Sequence, residues 1–160
     1  MDGDRLPDGR REVSVLFTDL EGFAELTEKL GDGRVAAVLA DYYAAVGRIV
    51  EKHGGVVDKL IGDGVFATFN AVAALDDHRR ITRKAGAEII AEISGLDADG
   101  KPLRAAVYAA SGPAEVRTFT AGGHTATTVI GRTVNRAGMA MRSPRYGSVT
   151  DADLEWNKLP

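Results

Sequence analysis

The sequence predicts an α+β domain, a ferredoxin-like sandwich with an antiparallel-rich sheet and helices on one face. Two observations lead to this prediction. Short apolar runs rich in β-branched residues alternate with longer stretches whose apolar positions recur at helical spacing. Their order along the chain is strand, two helices, two strands, helix and strand, which is the βααββαβ plan. No internal repeat or long linker divides the 160 residues, a length that suits one compact domain.

The first half of the chain contains the first five predicted elements. The strands are predicted from β-branched and apolar runs, and the helices from apolar positions three or four residues apart. Glycines follow both helices, as they commonly do just past a helix C-terminus. The Asp63-Gly64 pair is a strong signal for a tight hairpin turn between the second and third strands. These elements are a strand at 13–17, helices at 21–30 and 34–53, and strands at 56–61 and 65–69.

The second half begins with a long predicted helix whose apolar stripe includes Ile81, Ile89 and Ile93. The later elements are shorter and more weakly patterned. They are a helix at 71–93, a turn at 97–101, strands at 103–109 and 127–130, a helix at 134–141 and a strand at 148–150. We expect the domain to cover residues 12–160, short at its C-terminus, with residues 1–11 as a flexible lead-in.

Composition argues against several classes of protein. The net charge of −3 argues against a general nucleic-acid-binding surface. The chain has no cysteine, which excludes disulfides and thiolate metal sites and fits a reducing cytoplasm. No apolar run approaches the length of a membrane span, and the first residues lack the apolar core of a signal peptide. We therefore expect a cytoplasmic domain with no nucleic-acid partner and no membrane segment within this chain.

Two carboxylates that are distant in sequence are predicted to converge. In the ferredoxin-like plan the first strand is central and antiparallel to the third, so its C-terminal end lies beside the turn joining strands two and three. Asp19 follows the first strand, and Asp63 lies in that turn. Such a pair repels unless a cation lies between them, and Mg²⁺ or Mn²⁺ would leave coordination positions for phosphates. The spacing alone equally allows Asp19 to cap the next helix and Asp63 to serve only the turn.

Three sequence blocks resemble the catalytic domain of class III adenylyl and guanylyl cyclases, of the bacterial adenylyl cyclase type. The blocks are FTDLEGF at 17–23, VDKLIGDG at 57–64 and TVIGRTVN at 128–135. They occur in the family's order and at its usual separations, and the resemblance runs from about residue 13 to residue 149. It implies an adenylyl cyclase that converts ATP to 3′,5′-cyclic AMP and pyrophosphate by two-metal in-line attack of the ribose 3′-hydroxyl on the α-phosphorus.

The resemblance also implies roles for individual residues. Asp19 and Asp63 would bind Mg²⁺ or Mn²⁺, two ions per site, and Leu20 would lend a backbone carbonyl to a metal. Asn135 would orient the ribose and completes the catalytic set. The expected substrate-binding residues are Lys59, Thr128, Leu20, Phe23 (a structural phenylalanine in the family) and Gly62.

Lys59 and Thr128 occupy the positions at which the family recognises the base. An ammonium group has only donors, which suits the ring-nitrogen acceptor of adenine, whereas the protonated nitrogen of guanine requires a carboxylate. In the family the aspartates come from one chain, and the lysine, threonine and asparagine come from the other. The resemblance therefore implies ATP as the ligand and a homodimer with composite active sites.

One position departs from the family pattern. The family usually has arginine four residues after the asparagine, where this chain has Met139. Methionine cannot donate a hydrogen bond to phosphate, and the loss of one transition-state donor costs on the order of a hundredfold in rate. Arg136 and Arg142 are near in sequence but out of register.

Three alternatives therefore stay open. The first is a catalytically weak or inactive cyclase-homology domain that binds nucleotide and regulates a partner. The second is a diguanylate cyclase, which the IGDG hairpin disfavours because that family has a GG(D/E)EF turn. The third is a ferredoxin-like interaction module, which leaves the coincidence of three blocks unexplained.

Overall fold

The structure, a computed structural model, describes residues 5–156. Its main sheet has the strand order β2-β3-β1-β6-β7, and β8 pairs in parallel beside β6. No helix within the described residues is long and apolar enough to cross a bilayer. In chain order the elements are β1 (Gly9–Leu20), α1 (Phe23–Leu30), α2 (Asp32–Lys52), β2 (Val56–Ile61), β3 (Gly64–Phe69), α3 (His78–Ser94), β4 (Asp97–Ala98), β5 (Lys101–Pro102), β6 (Ala105–Ala121), β7 (His124–Ile130), α4 (Arg132–Ala140), β8 (Val149–Asp151) and α5 (Ala152–Trp156).

The predicted α+β fold with an antiparallel sheet is confirmed. β1 is the central strand and pairs antiparallel with β3 on one side and β6 on the other. Its alternate side chains enter two cores, as the period of two in a strand requires. The first core lies between the sheet and α1, α2 and α3, and its largest buried side chains are Leu16, Tyr42, Ile49, Phe69 and Ile89.

The opposite face of the sheet carries a second core. Val13, Val15 and Phe66 pack there with Ala137 of α4 and Ala152 of α5. The predicted placement of helices on one face therefore holds for α1, α2 and α3, whereas α4 and α5 lie on the other. Gly112 of β6 lets α4 approach closely, because a Cβ there would lie 2.8 Å from Thr133 Oγ1.

Several predicted boundaries are wrong. The lead-in predicted over residues 1–11 is shorter, because residues 9–11 belong to β1 and pair with residues 114–116; residues 1–4 lie outside the described part of the chain. The helix predicted from residue 71 begins only at His78. Asn70 before it has a positive φ, and its side-chain oxygen accepts the Leu75 N–H at 2.8 Å, which forms a loop instead.

The last third of the chain holds more β-structure than its sequence predicts. The strand predicted at 103–109 begins two residues later, at Ala105, and it is the start of the 17-residue strand β6, which continues through Gly112 and Pro113 because β1 pairs with it along that stretch. The turn predicted at 97–101 is the small β4–β5 hairpin. The short helix α5 was not predicted from the sequence.

Candidate active site

Strand pairing brings Asp19 and Asp63 together. Thr18 of β1 is paired with Val65 of β3, so the end of β1 lies beside the β2–β3 turn. The Leu20 N–H donates to Asp63 Oδ2 at 3.2 Å, which ties the turn to β1. Gly62 in the same turn has a positive φ of 56°, a conformation that favours glycine. Asp63 is therefore part of the turn and also joins that turn to the end of β1.

Asp19 does not cap the helix that follows it. α1 begins at Phe23, its N-cap is Gly22, and no side chain caps it. The side chain of Phe23 packs against the first core, as does the buried side chain of Leu20. At Leu20, only backbone groups are therefore placed to act in the site.

The two carboxylates perturb each other. Partial burial, then the hydrogen bond and the negative charge of Asp63, raise the pKa of Asp19 to about 6. The Tyr146 hydroxyl acts in the opposite direction by donating to Asp19 Oδ2 at 3.1 Å. Burial and the nearby Asp19 raise the pKa of Tyr146 to about 12, so this hydroxyl keeps its proton at neutral pH.

This donor set fits a hard divalent cation. Two carboxylates that repel each other are oxygen ligands of the kind that Mg²⁺ and Mn²⁺ prefer. Within residues 5–156 no group of three or more His, Cys, Asp or Glu side chains could hold a metal ion. Two carboxylates would fill only part of the coordination shell of such a cation and would leave positions for substrate oxygens.

Tyr146 is a site residue that sequence reasoning missed. Its backbone carbonyl accepts from Arg104 Nη2 at 3.0 Å, and the Gly147 N–H donates to the Ala105 carbonyl at 2.7 Å. These contacts anchor the segment before β8 beside the start of β6. No periodicity or motif in the sequence marks this tyrosine, because its position depends on the parallel pairing of β8 with β6.

Lys59 and Thr128 form a second cluster within one chain. They lie on β2 and β7, the two ends of the strand order, yet Lys59 Nζ donates to Thr128 Oγ1 at 3.0 Å. The sheet must curl around the second core to bring these strands together. Lys59 Nζ also lies 4.8 Å from the centre of the Phe66 ring, which stacks on Phe17 at 4.4 Å.

Asn135 is an exposed residue on α4. It lines a surface pocket that is also lined by Phe17, Val134, Gly138, Met139 and Arg142. Phe17 links this pocket to the Lys59 cluster through its stacked partner Phe66. Neither Asp19 nor Asp63 lines the pocket.

Arg136 does not take the place of the arginine that is missing at Met139. Its guanidinium donates to the Ser111 carbonyl and to Asp153 Oδ1, both at 3.0 Å, and it is mostly buried. Arg83 of α3 donates to the same Asp153 carboxylate at 3.0 Å. Arg136 therefore anchors α4 to the sheet. Arg142 is exposed and lines the pocket beside Met139.

Comparisons with known proteins give one consistent family. A family model described as the adenylate and guanylate cyclase catalytic domain matches residues 7–140. Adenylate cyclase 1 of Rhizobium meliloti is 34% identical over 122 residues, which are 76% of this chain and 17% of that protein. An adenylate cyclase of Anabaena cylindrica is 33% identical over 60 residues, 38% of this chain and 12% of that protein. The chain thus spans less than a fifth of either relative.

Solved structures agree with this similarity. The adenylyl cyclase CyaB from P. aeruginosa superposes with a TM-score of 0.80 at 26% identity, covering 90% of this chain and 78% of that one. The catalytic core of a rhodopsin-guanylyl cyclase with converted specificity, in complex with ATPalphaS, gives a TM-score of 0.82 at 20% identity over 89% and 78% of the two chains. At that identity the second likeness concerns the fold alone.

The raised pKa of Asp19 makes stability depend on pH. Between about pH 4 and pH 6 the folded protein keeps a proton on Asp19 that the unfolded chain has lost, so this contribution to stability falls as the pH rises through 6. Asp63→Asn removes the repulsion, and we expect the metal-free variant to unfold at a higher temperature than wild type at pH 7.5. Asp19 is partly exposed, so we expect a gain of only about 1 kcal/mol, or roughly 2–4 °C.

The measurement is thermal unfolding by circular dichroism at pH 7.5 and pH 4.5 in the presence of a chelator. At pH 4.5 Asp19 of wild type is largely protonated and does not repel Asp63, so the difference between the two proteins should nearly vanish. Asp41→Asn, at an exposed carboxylate of α2, is the matched control and should show neither effect. An equal shift at both pH values would contradict the assigned repulsion.

Proposed function

The chain belongs to the adenylate and guanylate cyclase catalytic-domain family, and we propose that it is an adenylyl cyclase that converts ATP to 3′,5′-cyclic AMP and pyrophosphate. In this reaction the ribose 3′-hydroxyl attacks the α-phosphorus in line, and pyrophosphate leaves. The observation that carries the proposal is the convergence of Asp19 and Asp63 at the end of β1, where the turn is held by the Leu20 N–H. We expect the reaction to take place in the cytoplasm.

Asp19, Asp63 and the Leu20 carbonyl would hold Mg²⁺ or Mn²⁺, two ions per site. When bound, such cations neutralise charge on the triphosphate and lower the pKa of the ribose hydroxyl. The protein's own contribution is to orient the carboxylates before substrate arrives. Tyr146 donates to Asp19 and the Leu20 N–H donates to Asp63, so each aspartate has a fixed hydrogen-bond donor.

The preference for adenine rests on Lys59. Its ammonium would donate to the N1 acceptor of adenine, whereas guanine carries a hydrogen on N1 and would face a second donor there. Thr128 lies 3.0 Å from this ammonium in the same chain and would contact the neighbouring position of the base. The family includes both adenylate and guanylate cyclases, so Lys59, and not membership in the family, carries this preference.

We propose a homodimer with two composite sites. Asn135 would orient the ribose from the exposed side of α4, and neither aspartate lines the pocket that it borders. Lys59, Thr128 and Asn135 of one protomer would meet the aspartates of its partner across a two-fold axis. Such an arrangement repeats the same site twice.

A second candidate is a weak or inactive cyclase-homology domain that binds nucleotide and regulates a partner. Met139 favours it, because this side chain is 40% exposed beside Asn135 and has no donor for a phosphate. Arg136 is held by Asp153 and the Ser111 carbonyl, so it does not supply that donor.

The first test is direct detection of the reaction. Purified protein with Mn²⁺ and ATP should form cyclic AMP and pyrophosphate in equal amounts, and Asp19→Ala or Asp63→Ala should abolish both. Asp19 lies at the end of β1 and Asp63 in the β2–β3 turn, both outside the cores, so the circular dichroism spectra should not change. Asp41→Ala is the matched control, and its activity should equal that of wild type. Wild-type levels of product from either site variant would refute the assignment of the aspartates.

The composite site can be tested by mixing two inactive variants. Asp63→Ala and Asn135→Ala remove groups from different halves of a site, so a heterodimer has one intact site and one doubly broken site. Activity should return to about half the wild-type value per heterodimer, by simple site counting. The activity should rise with protein concentration if dimer assembly is limiting. Absence of any recovery, from variants shown to form heterodimers, would exclude shared sites.

Met139→Arg tests whether a donor is missing. A guanidinium at this position should raise kcat for cyclic AMP formation more than it changes KM, because the donor acts mainly in the transition state. We expect an increase of about tenfold to a hundredfold, and Met139→Gln, which adds no charge, should give much less. If Arg142 already serves the phosphates, Met139→Arg would gain little, and Arg142→Ala would remove activity.

A further inference from the structure

An irregularity in β2 aims two neighbouring side chains in the same direction. Val57 is paired with Ala67, but the next paired residue, Lys59, lies opposite Phe66, so Asp58 is an extra residue in the ladder. Such a bulge disturbs the alternation of a strand and redirects side chains. Val57 faces the first core, whereas Lys59 lies over Phe66 of the second core. Asp58 and Lys59 can therefore reach the same neighbour.

That neighbour is Thr128. Its hydroxyl donates to Asp58 Oδ2 at 2.8 Å, and Lys59 Nζ donates to Thr128 Oγ1 at 3.0 Å and lies 2.9 Å from Asp58 Oδ1. The Asp58 side chain is only 6% exposed, whereas that of Lys59 is 42% exposed. A closed triangle of hydrogen bonds thus joins a buried carboxylate to the two residues proposed to recognise the base.

The triangle fixes which groups remain for a ligand. A hydroxyl has one hydrogen, and Thr128 gives it to Asp58, so towards a ligand Thr128 is an acceptor only. An ammonium has three hydrogens, and Lys59 uses two of them within the triangle, which leaves one. The cluster therefore presents one donor next to one acceptor.

One donor beside one acceptor is complementary to the six-membered ring edge of adenine. Adenine offers the N1 acceptor next to the N6 amino donor, whereas guanine and hypoxanthine offer an N1 hydrogen next to the O6 acceptor, the reverse order. Without Asp58 the Thr128 hydroxyl could turn and donate to O6. We propose that Asp58 is a specificity-determining positioning residue that makes the site select adenine by holding the Thr128 hydroxyl as an acceptor. This inference rests on the proposed adenylyl cyclase function.

The test compares binding of two nucleotides that cannot react. The 3′-deoxy forms of ATP and inosine triphosphate lack the attacking hydroxyl, so calorimetric titration in the presence of Mn²⁺ gives their affinities without turnover. Wild type should prefer the adenine nucleotide. Asp58→Asn supplies an amide that can donate to Thr128, which frees the hydroxyl hydrogen, so the ratio of the two affinities should fall about tenfold. An unchanged ratio would overturn the proposal.

Two further variants separate this role from a merely structural one. Thr128→Ser keeps the hydroxyl and its bond to Asp58, so the affinity ratio should stay within about threefold of wild type. Thr128→Val removes the hydroxyl and should lower the ratio on its own, and adding Asp58→Asn to Thr128→Val should then lower it no further. An additive effect in the double variant would show that Asp58 acts independently of Thr128 and would refute the proposal.

A binding measurement on wild type tests the same inference without depending on whether the variants fold. The triphosphate of purine riboside has the N1 acceptor of adenine but no group at position 6. Its 3′-deoxy form should bind severalfold more weakly than 3′-deoxy ATP, because the Thr128 acceptor then has no donor. Equal binding would overturn the inference about Asp58 but leave cyclic AMP formation untouched. If wild type neither binds nor cyclises ATP, the proposed function fails, and the role of Asp58 fails with it.

Discussion

The candidate site depends on the antiparallel pairing of β1 with strands on both sides. β3 holds the β2–β3 turn beside the end of β1, which brings Asp63 to Asp19, and β6 holds the segment that carries Tyr146 against the same end. The opposite faces of β1 are covered by two separate cores, so the strand has little freedom to shift. A slip by one residue would exchange its faces and turn Asp19 towards the first core. Because β1 cannot slip, the two aspartates stay close in spite of their repulsion.

The convergence of Asp19 and Asp63 could be predicted because it follows from local signals in the sequence for a strand and a hairpin turn. The hairpin at Asp63-Gly64 and the buried strand before Asp19 are both visible in the sequence, and the ferredoxin-like order brings them together. Tyr146 could not be predicted, because its place depends on the pairing of β8 with β6, two strands that are distant in sequence. The full length of β6 could not be predicted for a related reason: the strand predicted at 103–109 stops before Gly112 and Pro113, but β1 pairs with β6 across both residues.

The residues proposed to bind the base show a different limit of prediction from sequence. Lys59 and Thr128 were identified only by resemblance, since two residues on strands at opposite ends of the sheet have no reason to meet unless the sheet curls. Asp58 was not identified at all. In a regular strand it would point away from Lys59, and only the extra residue in the β2 ladder turns both side chains towards Thr128. A one-residue bulge leaves no trace in hydrophobic periodicity, yet here it decides which polar groups form a cluster.

Arg136 and Met139 lie on two faces of α4 that have different roles. One face is anchored by Arg136, whose contacts with Asp153 and the Ser111 carbonyl join α4 to β6 and, through Arg83, to α3. Asn135 and Met139, four residues apart and one helical turn from each other, share the exposed face. Moving Arg136 towards a phosphate would leave the partly buried Asp153 with one partner fewer, at a cost in stability. Arg136 therefore cannot also supply the donor that is missing at Met139. A substitution at position 139 changes the exposed face of α4 and leaves the contacts that hold this helix in place.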